Sequence, residues 1–197
     1  MSLVLSDRKV FELDDRADWF VGAEVLRSPN CDERPPEAEI SLAIVHGISL
    51  PPGLFAGRYI EQLFTNQLDW DEHCFFNKIR GLKVSSHLLI DRLGLLTQFV
   101  PISRRAWHAG QSEYSGEPHC NDFSVGIELE GTDHVPYTAA QYHALAGVLT
   151  ALMARYPRVT RSRIVGHCDV APKRKTDPGA SFRWDSLHAL LGAAEGL

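Results

Sequence analysis

The sequence has no cysteine pair close enough to share a ligand: Cys31, Cys74, Cys120 and Cys168 are widely separated and form no C-x-x-C. That excludes the usual thiolate metal site and the dithiol redox motif. Long apolar runs are also missing. The most apolar stretch, Ala144 to Ala154, is too short to span a bilayer, and Asp7, Arg8, Lys9, Glu12, Asp14 and Asp15 stand where a signal peptide needs an apolar core. The expectation is a cytoplasmic chain with reduced cysteines and no membrane partner. Basic runs are equally scarce. Lys173-Arg174-Lys175 is the longest, in a chain of net charge -5, so the broad basic face that phosphate binding needs is absent and nucleic acid is not an expected partner. Repeats and low-complexity tracts are not seen, and Pro35-Pro36 and Pro51-Pro52 read as loop punctuation rather than linkers.

What is present is a chain of 197 residues, 44% hydrophobic and 23% charged, suited to one domain over 1–197 with a substantial core. Leu42 to Ile48 reads as a buried strand carrying His46 near its end. Val84 to Ile90 and Leu95 to Val100 flank Asp91-Arg92-Leu93-Gly94 as a hairpin. Phe123 to Glu130 alternates, with Val125, Ile127 and Leu129 on one face and Gly126, Glu128 and Glu130 on the other. Thr138 and Gln141 form a capping-box pattern at the head of a helix whose apolar stripe runs from Tyr142 to Tyr156 and stops at Pro157. A short strand at Arg163 to Val165, a polar loop, and a helix from about Phe182 to Ala194 complete the chain. Interspersed strands and helices predict an α/β fold with a mixed central β-sheet flanked by helices.

The loop Gly166 to Gly179 offers a His, a Lys and an Asp within one reach. With His46 it supplies two imidazoles and one carboxylate, leaving the fourth tetrahedral position that a catalytic zinc keeps for water. Each residue also has an ordinary alternative. Glu128 suits a strand-face acid, Lys175 a solvated side chain, Asp177 a turn before Pro178-Gly179, and Trp107 a core position. His167-Cys168-Asp169 further matches the H-x-D spacing of non-haem iron oxygenases, with His188 as the sole later histidine. His73, His134, His143 and His188 receive no assigned role.

Four segments then carry a resemblance. Val45 to Gly53, Arg105-Ala106-Trp107-His108-Ala109-Gly110, Cys120 to Asp133, and Gly166 through Gly179 resemble, in order, the 1,6-anhydro-N-acetylmuramoyl-L-alanine amidases of the AmpD type. The likeness runs from about Trp19 to Leu190. It implies an N-acetylmuramoyl-L-alanine amidase-like fold and one Zn²⁺ per chain held by His46, His167 and Asp177. Glu128 would be the general base on activated water, and Lys175 a cation completing the site. The implied reaction is hydrolysis of the amide between the lactyl group of (1,6-anhydro)-N-acetylmuramic acid and L-alanine, in cell-wall recycling, with a muropeptide substrate and no obligatory protein partner. Substrate-binding positions would be Gly47, Lys83, Trp107, His108, His119 and the backbone of Ala171. Three of these depart from the better-known members: Gly47 stands for Asn, and Lys83 and His119 each stand for Arg. Loss of a planar guanidinium removes bidentate carboxylate recognition, so weaker or broader peptide selectivity is expected. Peptidoglycan-recognition domains, which resemble these amidases in fold, are the competing binding-module reading.

Overall fold

The computed structural model describes residues 10–14, 18–55 and 57–192. Its centre is a six-stranded mixed sheet of β1 (Glu24–Val25), β2 (Leu42–Ile48), β3 (Leu88–Ile90), β4 (Leu96–Gln98), β5 (Ser124–Glu130) and β6 (Ile164–Gly166), in the order β6-β2-β5-β3-β4-β1. Strands β6, β2, β5 and β3 run parallel, β4 returns antiparallel to β3, and β1 lies parallel to β4 at the edge. Parallel neighbours bring their carboxyl ends together, the place where open α/β sheets put their chemistry. His46 and Glu128 are register partners on β2 and β5, and His167 follows the last residue of β6 directly.

The two faces of the sheet differ. Ala43, Val45, Val125, Ile127 and Leu129 pack against Leu145, Val148, Leu149 and Leu152 of α2 (Ala139–Arg155) and against Leu187 and Leu191 of α4 (Trp184–Gly192). The α2 amino terminus is capped as its sequence predicts: Gln141 N–H donates to Thr138 Oγ1 at 3.1 Å and Thr138 N–H to Gln141 Oε1 at 3.0 Å. Such a cap contributes about 1 kcal/mol. Gln141 also donates to the Glu130 carbonyl at 2.9 Å, tying the helix to the end of β5. On the opposite face, Leu42 and Ile44 meet Ala109, Cys120, Phe123 and Val170, which come mostly from loops. A further cluster joins Leu89 and Phe99 to Ile60, Leu63 and Phe64 of α1 (Tyr59–Phe64), a helix the sequence pattern did not disclose.

Two expectations need correction. Only Leu88–Ile90 of the 84–90 segment is strand, because Ser85 is turned to a neighbouring loop: its hydroxyl donates to the Asn30 carbonyl at 2.6 Å and accepts from Trp107 N–H at 3.1 Å. The segment after Gly166 opens as a short helix, α3 (His167–Val170), closed by Gly166 N–H donating to Asp169 Oδ2 at 2.7 Å. The final helix is described only to Gly192; positions 193 and 194 of the expected helix lie outside the described residues, as do Asp7, Arg8, Lys9 and Asp15. Among the described residues no helix is long and apolar enough to cross a membrane.

Candidate active site

At the carboxyl end of the parallel strands three side chains converge. His46 Nδ1 approaches His167 Nδ1 to 2.9 Å and Asp177 Oδ2 to 3.3 Å, and His167 Nδ1 is 3.1 Å from the same oxygen. Both rings are buried, at 1% and 2% exposure. Two imidazole nitrogens aimed at one point beside a carboxylate can share at most a proton there, whereas a cation satisfies all three lone pairs together. His46, His167 and Asp177 are thus placed to hold a metal ion. Burial pushes His46 down to about 4, against the pull of Asp177. Burial also works to raise the Asp177 carboxyl, but the hydrogen bonds with His167 and His46 outweigh it and hold the group well below the usual carboxylate range.

Each ligand is braced from behind. His167 Nε2 lies 3.2 Å from the Ala109 carbonyl, an acceptor only, which puts the ring proton there and leaves Nδ1 bare. The Asp177 segment is held by Cys168 N–H donating to its carbonyl at 3.0 Å and by Tyr137 Oη donating to the Pro178 carbonyl at 3.0 Å. Tyr137 reaches that point because residue 47 is glycine: a Cβ on Gly47 would collide with the hydroxyl.

Glu128 stands beside His46 on the next strand, 8% exposed, with its Oε2 lacking any hydrogen-bond partner. Burial raises its carboxyl well above the usual range, the charge of Asp177 adds to this, and Lys175 opposes it. A carboxylate so placed is a basic group waiting for a proton. Lys175 is half-buried, and its charge acts on both His46 and Glu128.

The remaining expected residues separate. His119 and Ala171 line a groove of about 820 Å³ together with Gly110, Glu113, Lys173 and Arg174. Lys83 is exposed and Trp107 half-buried, and neither lines that groove; Trp107 instead lies near Asp32, where, behind the larger effect of Arg105, it helps hold that carboxyl below its usual range. Ala171 has both backbone groups engaged, its N–H on the His167 carbonyl and its own carbonyl accepting from Arg174 and Lys175, so it offers a ligand its methyl group rather than its backbone. His108 does not face the groove. Its ring is buried under His46, with Nδ1 2.9 Å from His46 Nε2. Asp169 caps α3, and His188 stacks on Trp184 in α4, so the H-x-D pattern assembles no site of its own.

Sequence reasoning missed His87 and Arg34. His87 is buried, takes the Gly126 N–H on Nδ1 at 3.0 Å and donates from Nε2 to the Arg104 carbonyl at 2.9 Å. Arg34 donates to the carbonyls of Ile102, Asn121, Asp122 and Ser124 at 2.8 to 3.1 Å. The available signal was a lone histidine within the apolar run Leu88–Ile90 and its neighbours; nothing marked Arg34.

The family model described as N-acetylmuramoyl-L-alanine amidase matches residues 36–180, a span that contains all three metal-facing side chains and Glu128. The chain belongs to the N-acetylmuramoyl-L-alanine amidase family. It is 52% identical to the 1,6-anhydro-N-acetylmuramyl-L-alanine amidase AmpD of Salmonella typhimurium over 88% of this chain and 92% of that protein. To AmpD of Escherichia coli it is 51% identical, over 88% and 94%. A crystal structure of a selenomethionine AmpD derivative superposes with a TM-score of 0.87 at 51% identity, covering 91% of this chain and 98% of that one. The amidase fold extends to E. coli AmiD in complex with the substrate anhydro-N-acetylmuramic acid-L-Ala-D-gamma-Glu-L-Lys, at 28% identity and a TM-score of 0.56 over 80% of this chain and 60% of that one.

Proposed function

We propose that this amidase hydrolyses the amide between the lactyl group of (1,6-anhydro)-N-acetylmuramic acid and L-alanine in muropeptides, using one zinc ion held by His46, His167 and Asp177. The observation that carries the reading is the meeting of those three side chains within 3.3 Å of one another, beside a buried glutamate with an unpaired oxygen. A two-histidine, one-carboxylate set suits catalytic zinc. When bound, that ion supplies Lewis acidity, lowering the pKa of water to about 7 and polarising a carbonyl.

The chain's own residues do the rest. Glu128, kept basic by its buried position, takes a proton from the attacking water and returns it to the leaving alanine nitrogen. Lys175 faces the negative charge that builds on the scissile oxygen, an interaction strongest late in the reaction. The groove lined by His119, Ala171 and Lys173 receives the stem peptide, with His119 and Lys173 exposed toward its carboxylates. Trp107, Gly47 and Lys83 are proposed as outer contacts. The names of the Salmonella and E. coli relatives support the anhydro sugar, and a role in cell-wall recycling is proposed with it. The cytoplasm is proposed as the compartment of that reaction.

Mass-spectrometric analysis of zinc-loaded protein mixed with anhydro-muramoyl tripeptide tests this reading. Free tripeptide should be released, and neither a chelated sample nor Glu128→Ala should release it. Tight binding of intact fragment without cleavage would instead identify a recognition module.

A further inference from the structure

The brace behind His46 is unlike that behind His167. Its Nδ1 faces the other two ligands, so its Nε2 points into the protein, 2.9 Å from His108 Nδ1. The second nitrogen of His108 lies 3.2 Å from Ser124 Oγ. Both imidazoles are buried: His46 is 1% and His108 9% exposed, Ser124 beyond it is 0% exposed, and His108 sits against Gly126, where any Cβ would run into its ring. The backbone of His108 is anchored as well, since Asn121 Oδ1 accepts from the N–H groups of His108 at 3.2 Å and Ala109 at 2.8 Å.

Proton bookkeeping then leaves one arrangement. A neutral imidazole carries one proton, and a nitrogen that binds metal must be bare. For His46 to present Nδ1, its proton sits on Nε2 and is donated to His108 Nδ1. That atom must therefore be bare, so the His108 proton sits on its own Nε2 and is donated to the Ser124 hydroxyl. We propose that His108 and Ser124 are positioning residues, a buried two-step relay that fixes the tautomer and ring angle of His46 so that its Nδ1 lone pair is presented to the metal. The inference rests on the metal site proposed above. It gives His108 a task other than contact with substrate, and gives Gly126 a reason to be glycine.

The test is zinc affinity, measured by chelator competition on metal-stripped protein, with circular dichroism to establish the fold of each variant. Removal of a partner behind a metal-bound histidine typically weakens binding about 10- to 100-fold. His108→Leu should show a loss of that order. His108→Asn, whose amide oxygen can accept from His46 Nε2–H, should recover most of it, a rescue that a packing role would not produce. Ser124→Ala, a smaller change one step further from the metal, should weaken zinc roughly 3- to 10-fold, below the range for a direct partner. In ¹H–¹⁵N spectra of the zinc-loaded wild type, His46 should show a slowly exchanging Nε2–H that is lost in His108→Leu. Wild-type affinity in folded His108→Leu, or in Ser124→Ala should the leucine variant not fold, overturns the relay while His167→Ala still abolishes binding. Failure of the wild-type protein to bind zinc overturns the metal site itself, and the relay with it.

Discussion

The two faces of the central sheet use the same strands for opposite purposes. Toward α2 and α4 the alternate residues of β2 and β5 are Ala43, Val45, Val125, Ile127 and Leu129, buried against the apolar side chains of those helices. Toward the loops the intervening residues include His46, Ser124, Gly126 and Glu128, equally buried but polar, each answered by a specific partner or, for Glu128 Oε2, by none. Burial on the first face stabilises by removing apolar surface from water. On the second it costs stability wherever a buried group must carry charge, below about pH 6.5 for the histidines and above about pH 4.5 for Glu128. The first face carries the fold and the second the proposed chemistry.

The largest effect that separates them is on turnover. Glu128→Gln should lower the rate of tripeptide release roughly 10³-fold, within the range for loss of a general base, with zinc affinity little altered. The same variant should melt higher than wild type when metal-free near pH 8. A carboxyl raised by burial holds its proton more tightly folded than unfolded, so ionisation above about pH 4.5 costs stability, and glutamine removes that cost. A variant that lost stability and activity together would erase the distinction between the faces.

On the helix face, Leu149→Ala should cost about 2–5 kcal/mol in denaturant titration, while kcat of the folded fraction stays within about twofold. An altered kcat would mean that the helix layer tunes the site and does not merely support it.

Acid should act first on the polar face. Burial, reinforced by Arg34, pushes His87 down to about 3, and burial pushes His46 down to about 4. An unfolded histidine takes up its proton near pH 6.5. The unfolded chain therefore binds more protons in between, and this contribution to stability, fully present above about pH 6.5, is lost as pH falls toward 3. Melting curves of metal-free protein across that interval should show the loss, and a flat profile would contradict the neutral, buried state of these rings.

How much of this was legible in the sequence follows the same division. Alternation in β5 and the helical stripe of α2 are periodic, and periodicity is written locally, so the apolar face and even the Thr138–Gln141 capping box could be read in advance. The metal-facing residues could be named because their motifs match a family; spacing alone left Asp177 a plausible turn. The polar layer beneath them could not be read. The sheet order β2-β5-β3 brings His87 and Ser124 beside His46, His108 joins them from a loop anchored by Asn121, and Arg34 acts by donating to four carbonyls whose positions no pattern announces. The polar stretch after Gly166 looked like loop because its helix is a single turn closed by Asp169.

The smallest expected effects lie at the groove. His119→Arg should lower KM for a diaminopimelate-containing stem peptide by roughly 3- to 10-fold with kcat unchanged, since a guanidinium adds bidentate carboxylate binding. Lys83→Arg, outside the groove, should change it less. Steady-state comparison of stem peptides reads both, and a larger effect at Lys83 would move the peptide's path to that side.

The central claim is that the polar face ends in one metal site made by three side chains. Calorimetric titration of metal-stripped protein with zinc tests it most directly. One tightly bound equivalent per chain is expected, lost in His167→Ala and in Asp177→Ala and kept in Glu128→Gln. Wild-type binding in either ligand variant, or no binding by the wild type, would contradict it.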